Sequence, residues 1–448
     1  MNSIRLGAGA GYSGDRIQPA LDLVERASLD YIVFECLAER TIALAQQTKA
    51  THPELGYDPM LVARMRKMLS ACRRHGTKLI SNMGAANPRS AAKGTAEIAR
   101  ELGIGGMKIA AIEGDDVLAL FQAGEFGHAQ LLETGAPVSS VRDRLISANV
   151  YIGAEPIVQS LSEGAEVVLG GRIADPALFL APLMYEFGWA SDNWNLLGAG
   201  IVIGHLLECA GQLSGGYFAD PPFKTVPDLA NLGFPYASVD PDGSAEFSKL
   251  EGTGGAITIE TCKEQLMYEI HNPARYLTPD VTASFTDVQL LPSGADRVRA
   301  VGATGLPKPE SLKVSVGYAD GYIGEGQITY AGSGAIGRAE LAIEIVKDQL
   351  ANSGCSVREL RAEMIGLNSV LPDRTIQGRE LPEVRVRVAG RVDSIEEANQ
   401  IAATVEALYT NGPAGGGGAS RSVRPIIAIE SVLIPREFVH TQVEMLVS

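Results

Sequence analysis

Apolar residues in this chain fall into short blocks that alternate with stripes at helical spacing. Residues 4–9 (IRLGAG) read as a buried strand. Ile17, Ala20, Leu21, Val24 and Ala27 then keep helical spacing, with Asp15 as cap, Gln18 in the capping-box position and Pro19 in the first turn. Residues 30–35 (DYIVFE) give a second strand. The helix over 58–76 is the clearest of all. Asp58 and Pro59 open it, Leu61, Val62, Met65, Leu69 and Cys72 form its stripe, and Gly76 closes it behind Arg73, Arg74 and His75. Strand 78–83, a helix opened by Asn87-Pro88, and strand 107–112 follow. A strand near 148–153 and a better marked one at 166–169 lead to Asp175-Pro176, again the signature of a helix start.

Strands alternating with capped helices imply crossover connections. The expected fold is α/β: a mostly parallel, doubly wound sheet, with a (β/α) barrel as the runner-up. Residues 215–330 change texture toward short strands and Gly/Pro turns, with one capping box at Thr261 and Glu264. They are expected as an α+β lobe packed on a main domain of residues 1–337. Beyond 338, Val384, Val386 and Val388 alternate with Glu383, Arg385 and Arg387, Ser394 opens a helix, and strand 425–434 follows. That order predicts a small ferredoxin-like α+β module over 338–448.

Composition narrows the class. Lys and Arg number 38 against 53 Asp and Glu, a net charge of -15, which makes nucleic acid a poor partner. The five cysteines have no CxxC spacing, which argues for a reducing compartment and against a disulfide framework or structural zinc. The N-terminus lacks a signal-peptide pattern, and stretches such as 177–185 fall short of the ~18 residues that span a bilayer. A cytoplasmic protein, not bound to membrane and assembled as a homo-oligomer, is the expectation.

Several segments carry a resemblance: GAGAGYSGDR (7–16), DYIVFECLAERT (30–41), GGRIADPALFLAP (170–182), GHLLECAGQLSGGYF (204–218), ETCKEQLMYEIHNPARYLTPD (260–280) and YTNGPAGGGG (409–418). Together they span nearly the whole chain, and the chain resembles the acyclic terpene utilisation (AtuA-like) family. The resemblance implies a part in bacterial breakdown of branched terpenoid acids, alongside acyl-CoA carboxylases. It carries no residue roles, so those rest on the residues themselves.

Gly9, Gly11 and Gly14 follow a strand and open a helix, with Glu35 at the end of the next strand. This is formally the dinucleotide fingerprint, although Asp15 puts a negative charge where a phosphate would sit. The loop could instead hold another anion, or the glycines could serve tight packing. Ligands of open α/β sheets bind beyond the carboxyl ends of strands. Those ends supply Glu35 and Cys36, Asn82 and Asn87, Glu113 and Asp115, then Arg172 and Asp175. Arg172 could hold a substrate carboxylate while Glu35 or Glu113 moves protons, or the carboxylates could hold a hard cation. Asp175, Asn87 and Asp115 have plainer readings as caps or solvated groups. Cys36 is either a nucleophile or a small core residue. His205, Glu208, Cys209 and Gln212 share a helix face, and His205 with Glu208 forms a proton-transfer pair unless it is a satisfied core histidine. Tyr268, Glu269, Tyr276 and Asp280 could line the same cleft, and the glycine-rich loop 411–418 lacks the Lys-Ser/Thr of a P-loop.

The expected function is catabolism of a branched carboxylic acid, free or as its CoA thioester, by lyase or hydratase acid–base chemistry. Glu35, Cys36, His205 and Glu208 are the catalytic candidates. Gly9, Gly11, Gly14, Asn82, Arg172 and Asp175 are the substrate-binding ones. No metal and no separate cofactor are expected, and Arg16, Arg40 and Arg172 are the cations a thioester would need. Two alternatives stand beside it: a non-catalytic partner or acyl-carrier subunit of an acyl-CoA carboxylase system, and an NAD(P)-dependent oxidoreductase.

Overall fold

A computed structural model describes residues 3–371 and 381–448. The chain forms two compact units, Met1–Gly317 with Ile429–Ser448, and Tyr318–Ala428.

In the first unit the elements alternate as the periodicity predicts. They are β1 (Ile4–Ala10), α1 (Gln18–Arg26), β2 (Tyr31–Phe34), α2 (Glu39–Thr51), α3 (Leu61–His75), β3 (Lys78–Ser81), α4 (Pro88–Glu101) and β4 (Lys108–Glu113). Next come α5 (Leu118–Ala123), β5 (Leu145–Val150), α6 (Glu155–Ser162), β6 (Val167–Gly170), α7 (Ala177–Phe187) and α8 (Trp194–Glu208). Then follow β7 (Pro235–Val239), β8 (Ala245–Lys249), α9 (Ile259–Leu266), β9 (Tyr276–Leu277), β10 (Thr282–Ser284), β11 (Gln289–Gly294), β12 (Arg297–Val301) and β13 (Thr304–Leu306). The second unit opens within β14 (Ser311–Ala331). It continues through α10 (Ala335–Asn352), β15 (Glu359–Ile365), β16 (Glu383–Val392), α11 (Ile395–Glu406) and α12 (Leu408–Asn411) into β17 (Gly417–Pro435), whose last residues return to the first unit. β18 (Gln442–Val447) ends the chain.

The main sheet is ordered β11-β12-β8-β7-β1-β2-β3-β6-β4-β18. Only β1, β2, β3, β6 and β4 run parallel. β7, β8, β12 and β11 extend the sheet antiparallel beyond β1, and β18 closes the other edge antiparallel to β4. This corrects the expected mostly parallel sheet, and the open order also departs from a barrel. The 215–330 segment has the short, turn-linked strands that antiparallel pairing permits. It therefore lengthens the sheet itself, apart from β9, β10 and β13, which form a three-stranded sheet of their own. β5 joins β14, not the main sheet.

Handedness explains the helix layers. β1, β2, β3 and β4 advance in one direction, and right-handed crossovers put α1, α3 and α4 on one face, where they pack on each other. β6 steps back between β3 and β4, so α6 takes the opposite face, packed on α7, which packs on α8. α7 is apolar all round and buried along most of its length. Among the described residues no helix is long and apolar enough to cross a membrane.

Several cap expectations shift by a few residues. Gly76 closes α3 in the left-handed conformation and Asn87 caps α4 as predicted. α1, however, starts at Gln18 without Asp15, and the capping box of α9 is Thr258 with Thr261.

The second unit runs β-α-β-β-α-β, with strand order β15-β16-β14-β17. Val384, Val386 and Val388 are buried against α10 and α11, as the period-two pattern requires. The unit begins at Tyr318, ahead of the expected boundary at 338. Its glycine-rich loop is tied down where Arg338 Nη1 donates to the Ala414 carbonyl at 3.0 Å.

Candidate active site

The carboxyl ends of β2, β3 and β6 converge on one charged cluster. Glu35 leaves β2 half-buried, and its Oε1 accepts from the Leu37 amide at 2.8 Å and from Asn82 Nδ2 at 3.0 Å. Asn82 is itself fixed, because its Oδ1 takes the Cys36 amide at 2.8 Å. Arg172 follows β6 by two residues and is only 1% exposed. Its Nη1 donates to the Leu37 carbonyl and its Nη2 to Asp175 Oδ1 at 2.6 Å. The guanidinium lies over the Tyr151 ring, 4.2 Å from its centroid. The Tyr151 hydroxyl donates to Glu39, and Lys313 Nζ stands 3.6 Å from the same carboxylate. Beneath them, buried Asp115 accepts from the Arg172 amide at 2.9 Å and from Asn149 at 2.8 Å, which fixes the turn after β6.

The last turn of α8 adds a second pair. His205 Nδ1 meets Glu208 Oε1 at 2.8 Å. The imidazole packs against the rings of Tyr276 and Phe285, and Gln265 donates to the His205 carbonyl. His205 Nε2, Glu208 Oε2 and Arg172 Nε are buried without a hydrogen-bond partner. Buried polar atoms are nearly always satisfied, so these three open valences single out this region as the candidate site.

One arginine serves several acids here. Burial, and then the charge of Asp175, push Glu35 well above the ordinary carboxylate range, against the pull of Arg172. Burial also raises Asp175, although Arg172 opposes it with both charge and hydrogen bond. Glu208 is pushed up to about 7 by burial, against His205, with Asp175 adding repulsion. Glu39 goes the other way. Burial would raise it, but the Tyr151 hydrogen bond and the charges of Arg172 and Lys313 bring it lower. Glu39 therefore stays ionised beside Arg172, whereas burial favours the neutral form of Glu35, Asp175 and Glu208.

A cavity of about 280 Å³ adjoins the cluster. Asp175, Tyr151 and Tyr276 line one part of it, Leu132, Leu277, Leu312 and Leu433 supply aliphatic wall, and Lys313 adds a charged head.

Asp280, whose loop borders this cavity, is a buried acid of another kind. Its Oδ1 accepts from the Ala154 amide at 2.9 Å and its Oδ2 has no partner. Burial moves its pKa from 3.8 to about 6, against the Ala154 bond and the charge of Arg436. A folded pKa above the unfolded one means that the unfolded chain loses the proton first as pH rises. Stability is therefore lost across that interval and stays lost above it. Asp280→Asn is expected to raise stability by about 1–3 kcal/mol near neutral pH and to leave it unchanged near pH 4, read as Tm at both pH values.

The remaining expected residues divide. The glycines of the loop sit against close neighbours. A Cβ on Gly9 would stand 2.6 Å from the Phe34 ring, and one on Gly11 would stand 2.6 Å from the Cys209 carbonyl carbon. A Cβ on Gly14 would meet Tyr12. Asp15, which was expected to cap α1, instead accepts from the Gly11 amide at 3.0 Å, the kind of donor a phosphate would need. Arg172 is buried, and its guanidinium pairs with Asp175 and the Leu37 carbonyl. Asp175 bonds Arg172 instead of capping α7. Cys36 turns away from the cluster toward Arg64, whose Nη1 donates to its Sγ at 3.1 Å, and burial holds the thiol well above its ordinary pKa. Glu113 pairs with Arg89 at 3.5 Å, and Asn87 donates to the Pro53 and Leu55 carbonyls. Arg16 bonds the Leu232 carbonyl, and Arg40 is exposed. No group of three or more His, Cys, Asp or Glu among the described residues could hold a metal ion.

Sequence reasoning missed Tyr151, Lys313 and Arg64. Tyr151 directly follows β5, a strand end like those that supplied the other candidates. Arg64 sits in the buried stripe of α3, three residues after Leu61 and four before Met68.

Fold and site thus define an α/β protein with a buried acid–base cluster beyond the ends of its parallel strands. The chain matches the model of the acyclic terpene utilisation family protein AtuA over residues 4–445 and belongs to that family. No curated protein and no solved structure matches it.

Proposed function

We propose that the protein is a catabolic enzyme that adds water to, or removes it from, a branched terpenoid carboxylic acid, free or as its CoA thioester. One observation carries the reading. Glu35 and Asp175 neighbour Arg172, the His205–Glu208 pair stands close enough for Asp175 to repel Glu208, and Asp175 lines an apolar cavity. In the dehydrating direction His205, oriented by Glu208, takes the proton from carbon. Protonated Glu35 gives one to the departing hydroxyl, which leaves as water. The reverse steps add water, and the balance needs no redox partner. The aliphatic wall suits a branched chain, and membership of an acyclic terpene utilisation family agrees with such a substrate. By its element order we also read the second unit as a ferredoxin-like module.

The test is incubation of the full chain with branched 3-hydroxy and 2,3-unsaturated acids and their CoA thioesters. The readout is a mass change of one water and exchange of the carbon-bound hydrogen with deuterated solvent. Glu208→Gln is expected to lower both by about 10²–10⁴-fold. A panel in which no compound changes mass and none exchanges hydrogen would reject the reading and favour a non-catalytic partner.

A further inference from the structure

We propose a second ligand site, separate from the acid–base cluster, that binds a neutral aliphatic alcohol. A cavity of about 480 Å³ opens between the glycine loop, the face of α2 and the start of α3. That volume lies in the range of small-molecule sites, and none of its lining residues lines the cavity beside Asp175. Leu44, Leu55 and Val62 stand on its wall at 43%, 38% and 39% exposure. Three aliphatic side chains left partly in water around one hollow gain free energy when an apolar molecule covers them.

The inner end is polar and buried. Asp58 is 5% exposed and Cys36 3%. The Asp58 Oδ1 takes the Met60 amide at 2.7 Å, and the Ser13 hydroxyl hydrogen-bonds the carboxyl. Behind Cys36 lies Arg64, fully buried, with no carboxylate at salt-bridge distance among the described residues. Its Nη atoms reach Cys36 Sγ, Met83 Sδ and the carbonyls of Ser13 and Asp15, and its Nε has no partner. Arg64 and Asp58 give this end opposite charges that offset each other, and no cation lines the cavity. A carboxylate would meet Asp58 with nothing to pair with. A hydroxyl can donate to Asp58 or Ser13 while its chain covers Leu44, Leu55 and Val62. The site adjoins the first cluster through Leu37, whose carbonyl accepts from Arg172, and Cys36, whose amide donates to Asn82.

Saturation-transfer NMR on the full chain, titrating 1-octanol and octanoate separately, tests the site. Octanol is expected to bind saturably and octanoate at least tenfold more weakly. Val62→Trp and Thr48→Trp, at positions that already reach solvent, fill the hollow and are expected to weaken octanol at least tenfold. Leu277→Trp, on the other cavity, is expected to leave it unchanged, and Ser13→Ala to weaken it about fivefold. Circular dichroism and Tm confirm folding, and if one tryptophan variant fails to fold the other decides. Absence of saturable octanol binding, equal binding of octanoate, or loss of binding only in Leu277→Trp would each overturn the proposal. These readouts do not depend on turnover, so they stand apart from the proposed reaction.

Discussion

Arg172→Met is expected to destabilise the protein by about 3–5 kcal/mol, the cost of stranding buried charge. The reason is the company the guanidinium keeps. At 1% exposure it holds Asp175 through a 2.6 Å hydrogen bond and closes the Leu37 carbonyl. Its charge also offsets Glu35 and Glu39. Methionine fills similar space but leaves the carbonyl open and the carboxyls without a cation. The acids respond by taking up protons, so the loss is greatest at high pH, where protonation is hardest, and shrinks as pH falls. Arg172→Lys keeps the charge but cannot reach both partners with a planar fork, so an intermediate loss is expected. Urea denaturation at two pH values reads all of this. A loss under about 1 kcal/mol that does not change with pH would mean that Arg172 is not the counter-ion of the cluster. Substitution at Arg172 therefore perturbs folding and chemistry together and cannot separate them.

Which parts of this arrangement were legible before the structure follows from what local sequence encodes. Gly76 and Asn87 announced helix ends because capping is decided within one turn. The His205–Glu208 pair was legible because three residues on a helix are neighbours. Residues at the ends of β2, β3 and β6 were legible as a group because parallel strands deliver their ends to one side of a sheet. Strand direction in the 215–330 segment was not legible. A short apolar run looks the same whether it pairs parallel or antiparallel, and only the tertiary order decides. The glycine fingerprint is ambiguous for a related reason. The same spacing serves a ligand or a close-packed neighbour, and here the neighbours are Phe34 and the backbone of Cys209, both distant in sequence. Asp175-Pro176 reads as a cap until Arg172 claims the carboxylate, a partner three residues back that only the turn held by Asp115 brings round.

Glu35→Gln separates chemistry from folding where Arg172 cannot. Glutamine keeps an oxygen to accept from Leu37 and Asn82, so both hydrogen bonds at 2.8 and 3.0 Å can persist and Tm is expected to move by only a few degrees. The lost property is the transferable proton. Turnover is expected to fall by about 10²–10⁴-fold. The pH profile supplies the sharper reading. Glu35 must carry its proton to act as the acid, and burial with the charge of Asp175 holds its pKa well above the ordinary value. Activity should therefore decline as pH rises through that raised pKa. Glu208, near 7, shapes the opposite limb: only as a carboxylate can it take the Nδ1 proton of His205 and leave Nε2 free as the base, so activity also falls as pH drops through that value. The pair reports apparent values that belong to the coupled cluster. In Glu35→Gln the alkaline limb owed to Glu35 disappears while the acid limb owed to Glu208 remains. A variant with unchanged Tm, unchanged turnover and an unchanged limb would remove Glu35 from the chemistry and leave the His205–Glu208 pair to account for proton transfer without it.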